Sequence, residues 1–122
     1  MIRGTVNAKL EAVVTLHVLG PRERSLQVET EIDTGFSGYL ALDSRAIHSR
    51  GLRRFGVNEG TLADGTRTYF ETYTATLDWH GAVRSVIVVE SAGGNLVGMS
   101  LLRGSQLVVD VIENGNVLIE RR

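Results

Sequence analysis

The 122-residue chain contains no cysteine. Disulfides, thiol nucleophiles and thiolate-bound zinc or iron–sulfur sites are therefore excluded. Histidine is scarce: His17, His48 and His80 share no HxH or HxxxH spacing, which argues against a histidine metal site. No metal and no cofactor are expected. An excess of charge of one sign is also missing. The formal net charge is −1, which gives no basic footprint for nucleic acid and no basic face for a membrane surface. Long hydrophobic runs are absent. The longest apolar stretch near the N-terminus, Ala12 to Leu19, is broken by Thr15 and His17. It is too short and too polar for a signal peptide or a membrane span. A soluble, cytoplasmic protein without nucleic-acid or membrane partners is the expectation. There is one proline, Pro21, and no low-complexity linker.

What remains is ordinary globular material, 43% hydrophobic and 22% charged, which excludes a disordered chain. A chain of this length can bury one core but not a second lobe, so residues 1–122 are expected to form a single domain.

The dominant period is two. Ala12, Val14, Leu16 and Val18 alternate with Val13, Thr15, His17 and Leu19. Gly20-Pro21-Arg22-Glu23 supplies turn chemistry, and a second strand follows. It places Leu26, Val28 and Ile32 on one face and Gln27, Glu29 and Glu31 on the other. Thr66 to Trp79 reads as a long strand, His80-Gly81 as its turn and Val83 to Val89 as the return. Leu107 to Ile112 and Asn116 to Glu120 flank Asn114-Gly115, a pair that favours a hairpin with positive φ at both residues. Helical signals are few. Ala41 to Arg50 could form two turns, capped by Asp43 or Ser44 and ended by Gly51. Met99 to Arg103 could form one or two more between Gly98 and Gly104. The class is mainly β, with six to eight strands and one or two short helices. A small closed or nearly closed barrel would hide the strand edges.

Two segments carry chemistry. In the first, an apolar strand end runs into Asp33-Thr34-Gly35, with the hydroxyl of Ser37 two places on. The second is Leu96-Val97-Gly98-Met99-Ser100-Leu101-Leu102, a strand end, a glycine and a short apolar helix. Each alone reads as a turn or a helix cap. Together, in this order, they resemble the single-domain, retropepsin-like aspartic proteases of retroviruses and of bacteria and archaea. Ile32-Asp33-Thr34-Gly35 matches the catalytic loop of that family, and Val97-Gly98-Met99 its second motif. Ala63-Asp64-Gly65-Thr66 sits where the family has its flap tip.

The resemblance implies a small retroviral-type barrel that acts as a homodimer. It implies an endopeptidase cutting peptide bonds through water activated by two Asp33 carboxylates, one from each subunit. Two carboxyls around one water cannot both ionise, so they share a proton. The ionised member takes a proton from water and the other donates to the substrate carbonyl. Gly35 is expected to permit close backbone approach. Thr34 inherits a buried hydroxyl that bonds across to the partner loop, and Ser37 a bond to the outer carboxylate oxygen. Of the other acids, Asp43, Asp64, Asp78 and Asp110, none precedes Thr-Gly. A complete site therefore needs a second copy of the chain, with a peptide or protein as substrate.

Departures from the family are visible. Ser100 stands where Asp or Asn is usual, and its shorter side chain is expected to lose contact with the loop or to reach it through water. Phe36 is bulky and is expected to fill a pocket or pack beneath the loop. The flap carries a single glycine. Trp79, Tyr69, Tyr73 and Phe70 read as packing aromatics, and Arg50, Arg53 and Arg54 as a solvated loop. In retroviral members the chain ends pair between subunits; whether the last hairpin does something related is left open. So are two other readings, a catalytically silent dimeric peptide-binding module and a purely structural barrel.

Overall fold

Alternation of apolar and polar side chains turns most of this chain into strands. The structure, a computed structural model, describes residues 1–19, 25–62 and 64–122. In chain order it runs β1 (Ile2–Val6), β2 (Ala12–Leu19), β3 (Ser25–Ile32), β4 (Leu40–Leu42), α1 (Ser44–Arg50), β5 (Arg53–Thr61), β6 (Arg67–Trp79), β7 (Ala82–Glu90), β8 (Leu96–Val97), α2 (Met99–Leu102), β9 (Ser105–Val109) and β10 (Asn116–Arg121). The protein is mainly β. The ten strands among the described residues exceed the six to eight expected, because β1 is only five residues long, β5 carries little alternation and β4 and β8 are very short.

The strands form one sheet in the order β5-β6-β7-β4-β8-β3-β2-β1-β10-β9. An additional pairing, Val18 with Leu77 and Leu19 with Thr76, joins β2 to β6. The pairings β6-β7-β4-β8-β3-β2 thus return on themselves. Inside this circuit lie Val14, Leu16 and Val18 of β2, Leu77 and Trp79 of β6, and Val88 of β7, all buried. Ile47 of α1 and Leu101 of α2 join the same core. Removing one such side chain to alanine would cost about 2–5 kcal/mol.

The helices follow their caps. The Asp43 carboxylate accepts the Ala46 N–H at 2.7 Å, and Gly51 ends α1 in the left-handed region with φ 61°. The segment before the cap, Leu40–Leu42, is strand rather than helix. Its three side chains are all buried, so an amphipathic helical stripe has nothing to stand on.

The turns divide less simply. At His80-Gly81 both residues have positive φ, 54° and 78°, and Trp79 pairs with Ala82 in a two-residue hairpin. Asn114-Gly115 does not form such a turn. Only Asn114 has positive φ, at 65°. β9 ends at Val109, and residues 110–115 make a longer connection. There Ile112 N–H donates to Asp110 and Gly115 N–H to Ile112. Gly115 is needed for proximity instead: a Cβ there would run into the Asp110 carbonyl. The expected turn at Gly20-Pro21-Arg22-Glu23 lies outside the described residues.

The chain ends pair within the chain. β1 lies against β10, Ile2 opposite Ile119, and β10 against β9. Arg50, Arg53 and Arg54 are not a solvated loop. Arg50 closes α1 and donates to the Gln27 carbonyl at 2.9 Å, while Arg53 and Arg54 open β5. No helix among the described residues is long and apolar enough to cross a membrane.

Candidate active site

The Asp33 loop is built by β8 threading between the two strands that flank it. β3 leads into Asp33 and pairs parallel with β8, Ile32 opposite Val97. β4 leaves the loop and pairs antiparallel with the same strand, Leu40 opposite Val97. Residues 33–39 must therefore arch over the end of β8. Main-chain bonds fix that arch. Asp33 N–H donates to Val97 O at 2.9 Å, Gly98 N–H to Tyr39 O at 3.0 Å, and Met99 N–H to Phe36 O at 2.8 Å. The two segments singled out in the sequence, far apart along the chain, meet here directly.

Asp33 itself sits half-buried at the start of a tight turn closed by Phe36 N–H to Asp33 O at 3.1 Å. Its Oδ1 accepts the Gly35 N–H at 2.9 Å, which aims and holds the carboxylate. Thr34, Gly35 and Ser37 are exposed. Thr34, whose hydroxyl is expected to be buried, is thus an exposed residue in the single chain. Ser37 is held through its carbonyl, which accepts from Ser100 Oγ; among the described residues its hydroxyl makes no bond to Asp33. Ser100 does not lose the loop. Its N–H donates to Gly38 O at 3.1 Å while its hydroxyl reaches Ser37 directly, because α2 starts close beneath the arch.

Glycine matters most at Gly98. A Cβ there would collide with the Gly38 carbonyl oxygen and lie 2.7 Å from the Phe36 ring and 2.8 Å from Phe36 O. At Gly35 a Cβ would meet only the Asp33 carboxylate, at 3.2 Å. The Phe36 ring lies against both Gly38 and Gly98. Met99, next to Gly98, is 48% exposed.

Several positioning groups escape sequence reasoning. The Asn95 side chain accepts from Asp43 N–H at 2.9 Å and donates to Glu29 O at 3.2 Å, while its own carbonyl takes the Glu31 N–H. One side chain therefore ties the cap of α1 to β3 and β8. A polar residue before an apolar pair gives no hint of this. Glu31 stands two residues before Asp33, on the same side of β3, and shares a hydrogen bond with Glu11. That bond, then burial, the Glu11 charge and the Asp33 charge push the Glu31 carboxyl above the usual range. Hydrogen bonding from Asn7, then from Glu31, holds Glu11 below it. The period-two spacing from Asp33 was the available signal for Glu31.

Of the four residues expected at a flap tip, three are described. Asp64, Gly65 and Thr66 cap the β5–β6 hairpin, where Asp64 Oδ1 accepts the Thr66 N–H at 2.8 Å and Gly65 has φ 87°. Ala63 falls outside the described residues. Among the described residues no hydrogen bond links this tip to the Asp33 loop. Nor do three His, Asp or Glu side chains converge as metal ligands among them. No protein-family model matches the chain, and no curated protein matches it either.

Proposed function

We propose that the chain is a retropepsin-like aspartic endopeptidase, a small barrel that works as a homodimer with Asp33 of each subunit in one site. The observation that carries this reading is the clamped arch of residues 33–39 over β8, which fixes a half-buried carboxylate in an otherwise exposed Asp-Thr-Gly turn. The circuit of strand pairings closed through β2 and β6 supports the barrel. The exposure of Thr34 supports a partner loop that would cover it.

In this reading two Asp33 carboxyls hold one proton and one water between them. The ionised carboxylate draws a proton from the water, whose oxygen attacks the peptide carbonyl carbon. The protonated carboxyl donates to the carbonyl oxygen, giving a tetrahedral gem-diol. Collapse of that species breaks the C–N bond as the nitrogen takes up a proton, leaving an acid and an amine. The substrate lies extended, held by main-chain bonds in the manner of an added strand, with the β5–β6 hairpin as the lid that excludes water.

The test is Asp33→Asn. Cleavage of an unfolded protein or a peptide library at mildly acidic pH should vanish, with circular dichroism and oligomeric state unchanged. Proteolysis that survives in the purified variant refutes the assignment. Peptide binding without turnover in the unaltered protein would instead establish the silent binding module.

A further inference from the structure

Strand directions decide what surrounds Asp33. β3 ends at Ile32, and β2 runs antiparallel to it, so the start of β2 lies beside that end. β1 is antiparallel to β2, with Val6 opposite Ala12, so the turn of residues 7–11 lies there too. β10 is antiparallel to β1 and starts at the same end, where Val6 N–H donates to Gly115 O and Asn114 N–H to Val6 O. The connection of residues 110–115 therefore flanks the turn of residues 7–11. α2 begins under the Asp33 loop. One end of the molecule thus gathers the Asp33 loop, the start of α2 and two surface turns.

That end exposes four apolar side chains beside the charged Lys9, Asp110 and Glu113. Leu10 is 58% exposed, Val111 64%, Ile112 65% and Met99 48%. Leu10 is also held at φ 60°, a conformation that disfavours a residue with a Cβ. The Asn7 side chain holds that turn by accepting N–H groups from Lys9 and Glu11. In an isolated chain, Gly or Asn at position 10 would relieve the strain and remove the exposed apolar surface together. A covered face gives the leucine a reason.

Resting on the dimeric protease reading, we infer that Leu10, Val111 and Ile112, with Met99, form the self-association face, and that its occupant is a second copy of this chain. The argument is geometric. Two Asp33 carboxylates can share one water only if a two-fold axis passes beside Asp33, and such an axis packs the surface around Asp33 against its own copy. Because β1, β10 and β9 already pair within the chain, the terminal strands are engaged, and the two turns present the apolar area that remains at this end.

Sedimentation equilibrium tests it with the full chain. The variant V111K/I112K would bring four lysines to the interface of each dimer. Its dimer dissociation constant should rise by at least about a hundredfold, with peptide cleavage lost in parallel and restored at high protein concentration. Leu10→Lys reads the same face from the other turn, should V111K/I112K fail the circular dichroism check. Val83→Lys is the control. It is 69% exposed on the hairpin whose His80 ring bonds Ser105 at the far end of β9, and it should leave association unchanged. If the unaltered protein is dimeric and both Leu10→Lys and V111K/I112K leave it so, the face is wrong while the Asp33 dyad stands. Equal weakening by Val83→Lys also overturns the face. A protein monomeric at every concentration overturns both readings.

Discussion

At Gly98 the absence of a side chain decides whether the Asp33 loop can exist. The Gly38 carbonyl and the Phe36 ring and carbonyl occupy the space a Cβ would take, and two of these three are backbone. Backbone cannot swing aside as a side chain can, so the arch or β8 must shift. Gly98→Ala should therefore destabilise the fold by roughly 3 kcal/mol. Gly35→Ala should cost less, since its Cβ meets only a carboxylate at 3.2 Å. Urea denaturation of the two variants side by side checks the ranking; a Gly98→Ala midpoint equal to that of the unaltered protein would sink this account. Residue chemistry also explains why Asp33 was visible in the sequence and Asn95 was not. Asp-Thr-Gly after an apolar strand is a local pattern, whereas Asn95 acts through partners at positions 29, 31 and 43 that no local window contains.

The least supported element is the arm formed by β5 and the first half of β6. No described residue from 53 to 70 is buried. β5 pairs with β6 alone, and its register slips between Arg54 and Gly56. Two exposed cross-strand ion pairs, Arg54–Glu71 and Arg67–Glu59, and the Phe70 ring lying over Gly60 hold the ribbon together. Exposed pairs contribute little, and a two-stranded ribbon is marginal in water. Among the described strands, amide hydrogen exchange should therefore be fastest in residues 57–61 and 67–70, by orders of magnitude over β2 and β3. Equal protection in the arm and in β2 would show that something else braces it. The same exposure explains why β5 was hidden in the sequence. With both faces in solvent, its side chains have no reason to alternate, and the Arg-rich start reads as a loop. β2, β6 and β7 were legible because one face of each meets the core. β4 and β8 are three and two residues long, too short for a period to register. The parallel pairing of β3 with β8 joins residues far apart in sequence, and only tertiary packing selects it.

At the scale of the whole molecule, one chain carries one Asp-Thr-Gly loop, and the reading of a shared dyad makes a quantitative demand. Activity must depend on pairs of intact subunits, not on their number. Asp33→Asn nearly preserves shape, so mixed dimers should form as readily as parent ones. A mixed dimer holds one carboxyl, which cannot act as base and acid together. After complete subunit exchange in an equal mixture, only about a quarter of the dimers keep both carboxyls, because each position is filled independently. Peptide cleavage should fall to about a quarter of that of the same total concentration of unaltered protein, and in general as the square of the intact fraction. A site built from one chain would fall to one half, linearly. A straight line through the mixing series would place the reacting groups within a single subunit, and the exposed end around Asp33 would then need another explanation for its leucine, isoleucine and valine.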